Sequence, residues 1–280
     1  MRSSSRAPAS RTTPPGWLPP PALRRRFRRR LLGWYRRNGR DLPWRHTRNP
    51  YHILVSEMML QQTQVDRVLP KYGEWLQKYP SLEALAAARA SEVDRTWRPL
   101  GYNARPQRLH AIAREVVARY DGRLPSDEKT LRSFKGIGAY TAGAVQSFAF
   151  GRRAPIVDTN VARVLFRVFV GRGNRNEPAV KKRLWSLSAI LLPRRDVFDF
   201  NQALMDLGAT VCMSRRPTCL LCPVRSNCKA AGTFMASSNS VAETHVSYKT
   251  KPEKFEGSSR YYRGRVVAHL RGLSDGESCD

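Results

Sequence analysis

Four cysteines gathered into 17 residues constrain this chain more than any other feature of it. Cys212, Cys219, Cys222 and Cys228 form C-x6-C-x2-C-x5-C, while Cys279 stands alone near the end. Thiols spaced this closely suit one metal centre better than two disulfides, and no secretory signal is read ahead of them. A [4Fe-4S] cluster and a four-cysteine zinc site both take four thiolates, so the spacing leaves both open.

Ahead of the cysteines, from Arg24 to about Cys228, apolar residues recur at threes and fours, as in "PSLEALAAARASEVDRTW" with Pro80-Ser81 as a helix start. The body therefore reads as all-α. "LRRRFRRRLLGWYRRNGR" carries a helical stripe through Leu23, Phe27, Leu31, Trp34 and Tyr35, and reads as a solvated basic helix behind a disordered leader, residues 1–23. An organelle transit peptide is the alternative for that leader. Residues 230–250 read as a Ser-, Thr- and Ala-rich linker, and 251–280 as a short basic tail too small for a core of its own.

Fifty Lys and Arg against 22 Asp and Glu give a formal charge of +28. A charge of that size suits a polyanion, because each neutralised phosphate releases counterions. Nucleic acid leads as the partner, ahead of an anionic membrane surface. No apolar run is long enough for a membrane span.

"FKGIGAYTAGAV" places Gly136 and Gly138 in a tight turn before a helix, whose N–H groups can face a phosphate; a plain helix-to-helix turn explains the glycines equally well. Two carboxylates flank this element in sequence. Glu57 sits in the apolar "ILVSEMMLQQTQV" and Asp158 in "APIVDTNV" at a helix start. Either one alone reads as a cap or an arginine partner. Together they are the equipment for glycosidic cleavage, one carboxyl to protonate a leaving group and one carboxylate to stabilise an oxocarbenium-like sugar.

"LPWR", "SEMMLQQTQV", "LGYNARPQRLH", "GIGAYTAGAV", "VDTNVARVL", "FNQALMDLGATVC" and the cysteine segment follow one another as in the helix-hairpin-helix GPD superfamily of DNA glycosylases. Over residues 24–229 the chain resembles that superfamily, most of all its adenine-specific, MutY-type branch. The resemblance implies a two-lobed helical body. A six-helix barrel would span about 47–155, with the hairpin at 134–145, and a cluster domain would combine 24–46 with 156–229 around an iron-sulfur loop at 212–228. It also implies a [4Fe-4S] cluster on the four cysteines, flipping of a base out of double-stranded DNA, and action as a monomer in the cytoplasm at the nucleoid.

By the same resemblance, Glu57 is the general acid that protonates adenine at N7 and Asp158 stabilises the sugar cation, kept ionised by its helix dipole. Tyr140 stands where bifunctional relatives carry a lysine for Schiff-base chemistry, so the chain is expected to be monofunctional. Gln61, Gln62 and Tyr102 match residues pressed into the helix around the vacated base. Trp44, Arg45 and Gln202 match the walls of the base pocket, and Asn160 joins Gly136 and Gly138 among the expected DNA contacts. Thr159 and Asn103 depart from the adenine branch, which has glycine and a second tyrosine there. The tail is expected to lack a complete Nudix-like domain. The alternatives are a thymine or uracil mismatch glycosylase and a catalytically idle DNA-binding iron-sulfur protein.

Overall fold

A computed structural model describes residues 16–101, 104–236, 256–257 and 259–270. Among these every regular element is a helix. The chain divides into two units, Met1–Glu243 and Thr244–Asp280. Both stretches expected as lobes lie inside the first, and the second contains one described helix, Ser259–Leu270.

The first helix, α1 (Pro21–Asn38), starts on a proline that needs no N–H partner there. It corrects the expectation of a solvated helix. Phe27 and Leu31 are fully buried and Trp34 nearly so, with Phe27 edge-on to Phe169 at 5.1 Å. Only the outer face, with Arg25, Arg26, Arg29 and Arg30, remains exposed. Arg28 instead donates to the carbonyls of Ile190 and Leu191, both at 2.7 Å.

Helix α2 (Pro50–Leu60) is capped by Asn49, whose side chain accepts from the amide of Tyr51 at 2.9 Å. It is apolar on nearly all sides, and it is buried on nearly all sides. Around it come α3 (Val65–Lys78), α4 (Leu82–Ala87), α5 (Ala90–Trp97), α6 (Ala104–Tyr120), α7 (Glu128–Ser133) and α8 (Ala139–Phe148). Ser81 caps α4 and Asp127 caps α7, as short helices with little internal stabilisation require. Helices α3, α6 and α8 all pack on α2, which places Glu57's helix at the centre of this group.

The remaining helices of this unit are α9 (Thr159–Leu165), α10 (Pro178–Leu191), α11 (Val197–Asp206) and α12 (Ala231–Ala236). Helices α9 and α11 each continue into a π-helical turn, Phe166–Val170 and Leu207–Val211. The second delivers the chain to Cys212. It also approaches α9 so closely that a Cβ on Gly208 would lie 2.6 Å from Asn160 Cβ. No larger residue fits without parting the two helices.

Candidate active site

Asp158 is the N-cap of α9: its Oδ1 accepts from the Val161 amide at 2.6 Å and its Oδ2 from Asn160 Nδ2 at 3.0 Å. Its carboxylate thus stands at a helix N-terminus, where the dipole favours negative charge. Glu57 reaches the same place from α2 and Tyr140 from the first turn of α8. All three line one cleft of about 1240 Å³, together with Trp44, Arg45, Gln61, Gln62, Asn160 and Gln202. Residues separated by up to 158 positions are therefore brought together.

Burial is the main influence on Glu57 and raises its carboxyl to about 7. The Tyr140 phenol pulls it back, Asp158 pushes it further up, and Arg45 pulls it down. Burial, then Glu57 and Asp158, hold the Tyr140 phenol well above its usual value. The Tyr140 hydroxyl lies 3.8 Å from Met205 Sδ, and it lowers Glu57 by hydrogen bonding to that carboxyl.

The other expected residues occupy varied positions. Trp44 is buried and edge-on to Tyr72 at 5.3 Å while still lining the cleft. Arg45 lines it too, but its guanidinium grips Asp206 in a bidentate pair at 2.8 and 2.7 Å. Asp206 accepts again from Arg40, through its backbone N–H at 2.9 Å and Nε at 2.7 Å. Although burial pushes this carboxyl up, hydrogen bonds from Arg45 hold it below the usual range.

Gln202 is buried in the cleft wall and Gln61 is half-buried. Gln62 is exposed and left-handed, with φ +55°. That conformation costs a side-chain-bearing residue on the order of 1 kcal/mol and persists only where neighbours hold it. Tyr102 lies outside the described residues. Gly136 and Gly138 sit at the hairpin turn rather than in the cleft lining. Gly136 needs to be glycine, because its φ is +106° and a Cβ would lie 2.8 Å from Arg108 Cδ. Gly138 caps α8 beside open space.

Sequence reading missed a buried arginine that joins this cleft to the cysteine segment. Arg163 donates to Asn160 Oδ1, Gly208 O and Cys212 O, each at 2.7 Å. Asn160's amide is thus engaged between Asp158 and Arg163. An unbroken hydrogen-bonded path runs from the Asp158 carboxylate to the backbone of the first cysteine.

All four cysteines line a second, mostly apolar cavity with Val164, Val168, Leu207, Val224 and Phe234. Arg167 approaches Cys212 Sγ at 3.5 Å, and the Cys228 thiol donates to Arg167 O at 3.3 Å. Burial first, then the neighbouring thiols, raise Cys222 to about 12 and Cys228 to about 11. Thiols in such a setting become thiolates only when a cation replaces their protons. Among the described residues no three His, Cys, Asp or Glu side chains gather tightly enough for a single ion. No described helix is long and apolar enough to cross a membrane.

Comparison with known proteins shows the family of the chain. The family described as "HhH-GPD superfamily base excision DNA repair protein" matches residues 55–189. The adenine DNA glycosylase of Mycolicibacterium smegmatis is 43% identical over 244 residues, 86% of this chain and 79% of that protein. The human adenine DNA glycosylase is 46% identical over 213 residues, 73% of this chain. Against the human protein the chain spans only 39% of the length. Among solved structures, a thermostable thymine-DNA glycosylase superposes with a TM-score of 0.71 at 35% identity, covering 76% of this chain and 98% of that one. A non-covalent endonuclease III–DNA complex, at 22% identity and a TM-score of 0.65 with 76% and 97% covered, shares the fold. The chain belongs to the helix-hairpin-helix GPD superfamily of base excision DNA repair proteins, and within it to the family of the adenine DNA glycosylases.

Proposed function

We propose that the chain is a monofunctional DNA glycosylase that removes mispaired adenine, opposite guanine or 8-oxoguanine, from double-stranded DNA. The observation that carries this reading is the placement of Glu57, Asp158 and Tyr140 on one cleft. A carboxyl raised to about 7 is still protonated in a large fraction of molecules at neutral pH, so Glu57 can give its proton to adenine N7. The C1′–N9 bond then breaks with its electron pair leaving on the base, and Asp158 faces the sugar cation. Water adds to C1′ and gives up a proton that restores the Glu57 carboxyl, yielding free adenine and an abasic site. Tyr140 offers no amine for a Schiff base, so strand cleavage is not part of the reaction.

The positive charge and the exposed arginines of α1 suit phosphate contacts, and the hairpin offers its N–H groups to the backbone. A thymine-removing enzyme is the second reading, because the thymine-DNA glycosylase above is matched over 98% of its length. Incubation with duplexes bearing A, T, U or C opposite G and 8-oxoguanine, followed by alkali, separates the two. Alkali-dependent breaks should appear at A; breaks at T opposite G would establish the second reading, and breaks without alkali would show lyase chemistry.

Cys212, Cys219, Cys222 and Cys228, which line one cavity, would hold a [4Fe-4S] cluster. A cluster takes one thiolate per iron around a volume, whereas zinc needs four sulfurs within about 2.3 Å of one point. When bound, the cluster supplies a covalent tie across the 212–228 segment. Protein purified without oxygen should be yellow-brown with about four irons per chain. Colourless protein with one zinc would overturn the assignment.

A further inference from the structure

Arg105, near the start of α6, is buried, and its guanidinium reaches three segments at once. Nη1 donates to the carbonyls of Met58, Met59 and Gln61 at 3.1, 2.7 and 2.6 Å. Nη2 donates to Thr63 Oγ1, Leu100 O and Gly101 O at 3.0, 3.1 and 3.1 Å. One face of the group lies over Trp97, 5.2 Å from the ring centroid. The last carbonyls of any helix lack partners within it, and those of α2 are ordinary candidates for a capping cation. Capping alone would not involve Thr63, Leu100 or Gly101. The bonds to Gln61 and Thr63 fall on either side of Gln62, the exposed left-handed residue at the cleft. Those to Leu100 and Gly101 hold the segment that leads into Tyr102.

We infer that Arg105 is a positioning residue, clamping the strained Gln62 turn and the 100–101 segment in fixed register with the helix that carries Glu57. The inference rests on the glycosylase reading for its effect on catalysis, but the clamp itself does not. A planar fork spans these acceptors; an ammonium, donating from one point, cannot reach both sides. Lysine should therefore fail to substitute.

The test uses the full chain with Arg105→Lys, Arg105→Ala and, to remove one acceptor while keeping the arginine, Thr63→Val. Amide hydrogen exchange should accelerate together in 61–64 and 98–101 in both Arg105 variants and remain as in the parent in α9 and α10. In single-turnover excision the amplitude reports the folded fraction and the rate constant reports positioning. The rate constant should fall about 100-fold in the Arg105 variants, as expected when a distant change displaces reacting groups by about 1 Å, and by less in Thr63→Val. The pH at which activity declines should not move, since Glu57 is untouched. Unchanged exchange in the two segments would overturn the clamp. A rate constant within threefold of the parent, with only the amplitude reduced, would overturn the positioning role. A parent inactive on every duplex would overturn the glycosylase reading and the catalytic role with it, leaving the exchange result to decide the clamp.

Discussion

Asp158→Asn should bind duplex DNA as the parent does and excise base at a rate lower by about 100- to 1,000-fold or more, the cost typical of losing one preorganised electrostatic contact to a transition state. The substitution is informative because Asp158 has two jobs. As N-cap of α9 it accepts from the Val161 amide, and asparagine caps equally well. Its second oxygen accepts from Asn160 Nδ2, where an amide nitrogen would instead meet another donor. Losing that contact should cost on the order of 1 kcal/mol, well within what a folded domain tolerates. A structural aspartate would therefore show a small fall in Tm and near-normal excision. A catalytic one stabilises charge that exists only in the transition state, so its loss falls on kcat. Single-turnover rates alongside thermal melts decide between them, and a rate within threefold of the parent would refute the assignment.

What could be read before the structure divides along a physical line. Signals carried by neighbouring residues were legible: the cysteine spacing, the Gly136–Gly138 turn, the Ser81 helix start, and an acid at the head of α9. Glu57 was legible because a carboxylate within "LVSEMML" has no local reason to be there. Arginines were not. In α1 they fall at a helical spacing that reads as a solvated face, yet Arg28 caps α10, and in α6 and α9 Arg105 joins three segments and Arg163 reaches the cysteine backbone. A long cation says nothing about its acceptor when that acceptor is backbone. Arg45 was expected in the base pocket, but its partner Asp206 lies 161 residues away. The left-handed turn at Gln62 was equally invisible, because glutamine has no preference for positive φ and only the tertiary clamp holds it there. The π-helical turns that aim α11 at Cys212 leave no mark on hydrophobic periodicity either.

Glu57→Gln should lose activity and gain stability, and the pH dependence of both should share one origin. Glutamine cannot protonate a departing base, so excision should fall by about 100- to 10,000-fold, the range of a lost general acid. The parent's rate should decline as pH rises through about 7, where the buried carboxyl ionises. The stability effect follows from the sign of the same shift. In the unfolded chain this group ionises near 4.5, while in the folded protein it holds its proton to about 7. The folded state thus binds the extra proton between those values, and folding is penalised progressively as pH rises across that window. At pH 8 the penalty is roughly 3 kcal/mol from 1.36 kcal/mol per pKa unit, and at pH 5 under about 1 kcal/mol. Glutamine carries no such penalty. The stability advantage of Glu57→Gln over the parent should therefore widen by roughly 2 kcal/mol between pH 5 and pH 8, measured by denaturant unfolding at each pH. An advantage independent of pH would mean that Glu57 ionises normally when folded, and a carboxyl ionised at pH 7 could not serve as the acid of this reaction.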